Sequence, residues 1–289
     1  MLLQIFIILL PLFILISCGF IMGRLVKLSE DTLVRVLTDF FMPILVFTSL
    51  YNSPVSISDM LNLSGSVFVM VIITLAAALI YAHLAGIDKR PFTPPIIFMN
   101  SGFLGIPVMQ LWGGNQAMNI IIIYDQIQTF LIFTLGYLIL EGGFSLQGIK
   151  ASIKSPILWA VITGFTSNIL RIPIPEVLLG TFSFAGSAAL PLALSARKKE
   201  TLSIHVFWGI FLRVVIGFIS GLIAVKIFGI TGTMKIVIIV IGALPSAIFA
   251  YILPARLGFK SSTPREIVII STILGIVTIP LSFYLAELI

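Results

Sequence analysis

Charge is what this sequence has least of. Only 10% of its 289 residues are Asp, Glu, Lys or Arg, against about 25% in a soluble domain. Hydrophobic residues make up 59%, and the mean hydropathy is +1.19. These values exclude an ordinary soluble enzyme or binding module and indicate an all-α polytopic membrane protein. Cysteine is nearly absent. Cys18 stands alone, which excludes an intrachain disulfide and any cysteine-based metal cluster. The two histidines, His83 and His205, lie far apart, so neither a metal site nor another cofactor is expected. No Gly-x-x-x-x-Gly-Lys-Ser/Thr loop occurs, so ATP hydrolysis in this chain is not the energy source. The formal charge of +6 is spread through short connectors. It forms no stripe and no aromatic–basic motif, so the expected partner is a lipid bilayer and not nucleic acid.

A helix needs about 20 mostly apolar residues to cross a bilayer. Ten stretches qualify: 2–23, 32–51, 64–85, 94–112, 118–140, 156–170, 177–196, 202–225, 235–254 and 266–288. Leu15-Ile16-Ser17-Cys18 resembles a lipoprotein cleavage site. Residues 1–14 carry no positive charge, however, and the apolar run continues to Met22, so 2–23 is read as a retained first span. Basic residues fix the orientation. Arg24, Lys27, Arg35, Lys89, Arg90, Lys150, Lys154, Arg197, Lys198, Lys199, Arg256, Lys260 and Arg265 fall on one face, and Arg171, Lys226 and Lys235 on the other. The richer face is cytoplasmic, and both termini are expected outside the inner membrane. Arg213 lies deep inside a span.

Two spans read as broken. Residues 98–107 carry Asn100, Ser101, Gly102, Gly105 and Pro107 where a membrane helix is normally Leu, Ile and Val. A second break is expected at Gly242-Ala243-Leu244-Pro245-Ser246. Interrupted helix is tolerated in a membrane only when buried in protein or lining a wet cavity, and a pair of such spans in corresponding positions points to a transporter's binding site. Ten spans divide as 1–145 and 146–289. An odd number of spans in each half makes any repeat an inverted one. Met42-Pro43 in span 2 pairs with Leu190-Pro191 in span 7, and Pro107 pairs with Pro245.

The string Asn100–Pro107 resembles the fourth-span motif of the auxin efflux carrier family. Ala243-Leu244-Pro245 with Pro254-Ala255-Arg256-Leu257-Gly258, span 7 around Pro191, and Ser271 through Leu281 resemble further motifs of that family, in order and along the whole chain. The resemblance implies two inverted five-helix repeats with spans 4 and 9 crossing at their breaks, an architecture of the bile-acid-symporter type. It implies a dimerising scaffold from spans 1, 2, 6 and 7 and a moving unit from spans 3–5 and 8–10. It also implies a small organic anion as cargo, such as a dicarboxylate or an auxin-like acid.

The polar residues of the spans supply the candidate site. A carboxylate taken from water needs replacement donors. Half-helix N-termini, the Asn100 amide, and the Ser101 and Ser246 hydroxyls offer them. By the resemblance, Asn100 faces substrate and Gln128 lies near it. Ser246 departs from the glutamine expected at its position. Asp125 shares one helix face with Gln128 and Thr129. It is either a proton carrier or a hydrated carboxylate near the outer interface, and the coupling ion would be H+ or Na+. Arg213 must face a partner or a cavity, with Asp39, Asp125 or the substrate carboxylate as candidates. Asp39 otherwise reads as a solvated residue near the cytoplasmic end of span 2. A sodium-coupled symporter is the nearest alternative function. A non-transporting receptor and an intramembrane enzyme are the others, and the enzyme lacks a matched mid-membrane pair of aspartates or a Ser–His pair.

Overall fold

The computed structural model describes residues 35–51, 57–142, 156–175 and 203–289, together with positions 10, 14 and 32. The first span, Cys18, span 7 with Pro191, and the basic connector after it lie outside the described residues. The described elements are helical. They are α1 (Met42–Tyr51), α2 (Ile57–Ala85), the short α3 (Lys89–Phe92) and α4 (Pro94–Ile97), α5 (Ile106–Leu131), α6 (Tyr137–Leu140), α7 (Pro156–Ile169), α8 (Ile204–Phe211), α9 (Gly217–Phe228), α10 (Gly232–Gly242), α11 (Phe249–Arg256) and α12 (Thr263–Leu288). π-helical turns lead into α1, α5, α6 and α9 at Leu37–Phe41, Ser101–Gly105, Ile132–Gly136 and Leu212–Ile216.

Among the described residues, four helical stretches, Leu61–Ala85, Ser101–Leu140, Ile204–Phe228 and Thr263–Leu288, are long and apolar enough to cross a membrane. α2 shows why. Leu63, Val67, Met70 and Ala78 are buried on one side, while Leu61, Ile72, Ile80 and Leu84 are exposed on the other. A helix apolar all round suits a protein core on one face and lipid on the other.

The 40-residue stretch Ser101–Leu140 is two legs and not one rod. At about 1.5 Å per residue, a straight helix would hold Ser101 and Asp125 about 36 Å apart. Their side chains are 2.6 Å apart. The reversal falls at Gly113 and Gly114, which leave helical geometry (φ −124°, ψ 16° and φ 59°, ψ −150°). The second conformation belongs to glycine, because a Cβ would clash with the backbone there. Spans 4 and 5 are therefore separate, as their spacing in the sequence predicts.

Both expected breaks are present. α4 ends at Ile97, Phe98 is extended, and helix resumes at Ser101. α10 ends at Gly242, and α11 begins at Phe249. The first break falls at Phe98–Asn100, upstream of the residues read as breakers. Pro107 lies within the helix that resumes at Ser101, just past its π-helical turn. The pairing of Pro107 with Pro245 is corrected accordingly, since Pro245 lies inside an unwound segment and Pro107 inside a helix.

Among the described residues, the contacts between helix ends and connectors form two groups. Arg256 bonds Asp39, Tyr81 bonds His205, and Arg90 lies over the Phe259 ring at one end. Trp112 bonds Glu287, and Thr233 bonds Gln116 at the other.

Candidate substrate site at the helix crossing

The two breaks meet. Met99 and Ser246 face each other as an isolated antiparallel bridge. The Asn100 N–H donates to the Pro245 carbonyl at 2.8 Å, and the Ala247 N–H donates to the Phe98 carbonyl at 2.9 Å. Each unwound segment thus supplies the other with partners that its own helix no longer provides, as an apolar setting requires.

Side chains account for the backbone groups left over. The Gln128 amide copies a strand neighbour. Its Oε1 accepts from the Met99 N–H at 3.1 Å, and its Nε2 donates to the Met99 carbonyl at 2.6 Å and to Ser101 Oγ at 2.8 Å. On the other break, the Ser246 N–H donates to Ser271 Oγ at 3.1 Å, and the Ser246 hydroxyl donates to the Pro95 carbonyl at 2.5 Å. Ser246, Ser271 and Gln128 are thus committed to holding the crossing together.

Arg213 completes this scheme. Unwinding takes the helical N–H partners from Ile96 and Gly242, since the Asn100 and Ser246 N–H groups point elsewhere. Arg213 Nη1 donates to the Ile96 carbonyl at 2.7 Å, and Nη2 to the Gly242 carbonyl at 2.6 Å. A planar fork reaches two acceptors where an ammonium would be a single point. Its positive charge also faces the negative ends of two half-helices. Arg213 is fully buried. Its approach depends on Gly217, one turn along the same helix, where a Cβ would stand 2.1 Å from the Gly242 carbonyl oxygen. Gly217 is thus a packing residue with a specific purpose.

The sequence suggests acidic partners for Arg213, and neither is one. Asp39 accepts from Arg256 at 2.7 and 3.0 Å near one end of the molecule. Asp125 accepts from Ser101 Oγ at 2.6 Å. The Gly113–Gly114 reversal brings Asp125 to the crossing, with its carboxylate oxygens 3.1 Å from where a Gly102 Cβ would stand. Next to it, the Tyr124 hydroxyl donates to Met99 Sδ at 3.2 Å. Pro245 contributes its carbonyl to the crossing, and its ring lies 3.0 Å from a Cβ placed on Gly275.

Two buried donors at the crossing have no acceptor among the described residues: Asn100 Nδ2 and Arg213 Nε. Asn100 is 3% exposed, so bulk water does not serve it. The residues missed in the sequence are Ser271, Pro95 and Tyr124. Ser271 offered one signal, a hydroxyl beside that of Thr272 in a mostly apolar span, and a backbone carbonyl such as that of Pro95 offers none.

Comparison with known proteins gives the family. A family described as membrane transport protein matches residues 4–147 and 144–283. The chain belongs to this auxin-efflux-carrier-type family of membrane transporters. It is a multi-pass membrane transporter and not an enzyme. One relative, described as an uncharacterized transporter of Methanothermobacter thermautotrophicus, is 29% identical over 291 residues, covering 94% of this chain and 95% of the relative. Within the family, the crossing is where this chain concentrates its buried polar groups.

Proposed function

We propose that the protein is a secondary carrier for a small organic anion, a dicarboxylate or an auxin-like carboxylic acid, that binds at the crossing of the two breaks. The observation that carries this reading is the pair of unspent donors, Asn100 Nδ2 and Arg213 Nε. Both are donors only, and buried donors without acceptors are costly. A carboxylate brings acceptors and negative charge together. The half-helix that begins at Ser101 adds a positive dipole end.

Movement would follow an elevator-type alternating access. Spans 3–5 and 8–10 would form the moving unit, and spans 1, 2, 6 and 7 a dimeric scaffold in the inner membrane. An inverted repeat of two five-helix halves finds support in one register. Ser246 follows its partner Met99 by 147 positions, and Pro254 follows Pro107 by the same 147.

Counterflow of radiolabelled succinate and benzoate in proteoliposomes tests the reading. Exchange of either that is lost in Asn100→Ala, with unchanged thermal unfolding, is the expected result. Exchange at the same rate in that variant would remove Asn100 from the site. No exchange of any carboxylate by the unaltered protein would remove the anion.

A further inference from the structure

The half-helix that begins at Ser101 already has an anion at its N-terminal end, and that anion belongs to the chain. The Asp125 carboxylate reaches across the hairpin to Ser101 Oγ at 2.6 Å and lies against Gly102. This is the end of the helix where a substrate carboxylate would dock. No cation among the described residues neutralises it. Arg213 is held by Ile96 and Gly242. Glu287 accepts from Trp112, and Tyr81 is bonded to His205. Lys235 and His83 stand toward the far ends of α10 and α2, and Tyr51 ends α1. Tyr124 donates to methionine sulfur. An unpaired carboxylate inside a span marks a pathway or a switch, and two carboxylates cannot share one small site while both are ionised.

We infer that Asp125 is the coupling-proton site of the carrier, and that a proton taken up by its carboxylate opens the crossing to the substrate anion. The inference rests on the anion reading above and names its coupling ion. The hydrogen bonds supply the mechanism. With Asp125 ionised, the Ser101 hydroxyl donates to it and accepts from Gln128 Nε2. With Asp125 protonated, its new O–H donates to Ser101 Oγ. The Ser101 hydrogen is then free to turn towards an anion beside the unspent Asn100 Nδ2. The proton comes from water on the loading side and returns to water on the releasing side. Only the Asp125 O–H bond forms and breaks, and a monocarboxylate crosses without net charge.

The test uses the full chain, purified and in proteoliposomes. The probe is a defined mixture of acetate, benzoate, malonate, succinate and citrate. Infrared difference spectra, unaltered protein minus Asp125→Asn, should show a protonated carboxyl band that grows as pH falls. The band should grow again when the mixture is added at fixed pH. Affinity of the unaltered protein should fall about tenfold per pH unit at the alkaline end. Asp125→Asn, a fixed mimic of the protonated form, should bind with no pH dependence, exchange substrate, and fail to accumulate it under an inward proton gradient. Ser101→Ala keeps the carboxylate and should weaken binding while preserving its pH dependence. The inference is overturned if no Asp125 band appears, if Asp125→Asn keeps the pH dependence, or if a sodium gradient drives uptake that a proton gradient does not. If the mixture fails to bind the unaltered protein, the anion reading falls. The infrared titration still decides whether Asp125 takes up a proton.

Discussion

Arg213 donates to the Gly242 carbonyl at 2.6 Å while its other terminal nitrogen donates to Ile96 at 2.7 Å. A single side chain thus replaces the lost partners of both broken helices. Arg213→Met should leave two buried carbonyls unsatisfied and destabilise the protein by about 3 kcal/mol or more. Arg213→Lys keeps the charge but reaches one carbonyl, so its loss should be intermediate. Thermal unfolding in detergent measures the order: unaltered, then Lys, then Met. A lysine variant as stable as the unaltered protein would show that the fork is not required.

Gln128 and Ser271 make a matched pair of predictions. Gln128→Ala strips Met99 of its N–H and carbonyl partners, and Ser271→Ala strips the Ser246 N–H of its acceptor. At about 1–3 kcal/mol for each buried group left unpaired, the glutamine variant should be the less stable. Chemical denaturation in mixed micelles would read the difference. Equal stability of the two would contradict the double role of Gln128.

Glycines at the crossing should separate by what they touch. A Cβ on Gly217 meets backbone at 2.1 Å, and one on Gly242 meets the Gly217 carbonyl oxygen at 2.3 Å. Neither backbone can move without parting two helices, so Gly217→Ala should cost about 3 kcal/mol or prevent folding. A Cβ on Gly102 meets the end of the Asp125 side chain at 3.1 Å, which can shift by a few tenths of an ångström. Gly102→Ala should fold and alter the affinity for anions. Expression and monodispersity on size exclusion would distinguish the two.

The connector before α3 carries a small dependence on pH. The Arg90 guanidinium bonds both Asp88 oxygens and holds that carboxyl below the usual carboxylate range. A depressed carboxyl contributes stability that is present above its unfolded pKa, about 3.9, and is lost as pH falls through the folded value. The effect therefore lies below about pH 4, and solvent keeps it small. Thermal unfolding of Asp88→Asn and of the unaltered protein should differ at neutral pH and converge in acid. Asp88→Ala should also lose the cap on the Arg90 N–H, about 1 kcal/mol.

Much of this was legible in the sequence, and what was not has a common cause. Low charge and ten apolar runs indicate the membrane. Gly and Pro mark both unwound regions to within a few residues. Pro107 misleads because proline also occurs within membrane helices, here just past a π-helical turn. The exact site of unwinding, Phe98–Asn100, is set by pairing with Pro245 and Ala247, a tertiary contact with no local signature. Asp125 looks peripheral along the chain and becomes central only when Gly113 and Gly114 fold span 5 back onto span 4. The partners of Arg213 are backbone carbonyls, which every residue has and no letter announces.

The reach of Arg213 to Ile96 ties a carbonyl in the first half of the chain to a side chain in the second. A chain cut in the connector between Glu141 and Pro156 would leave the Ile96 carbonyl without its donor until the two pieces came back together.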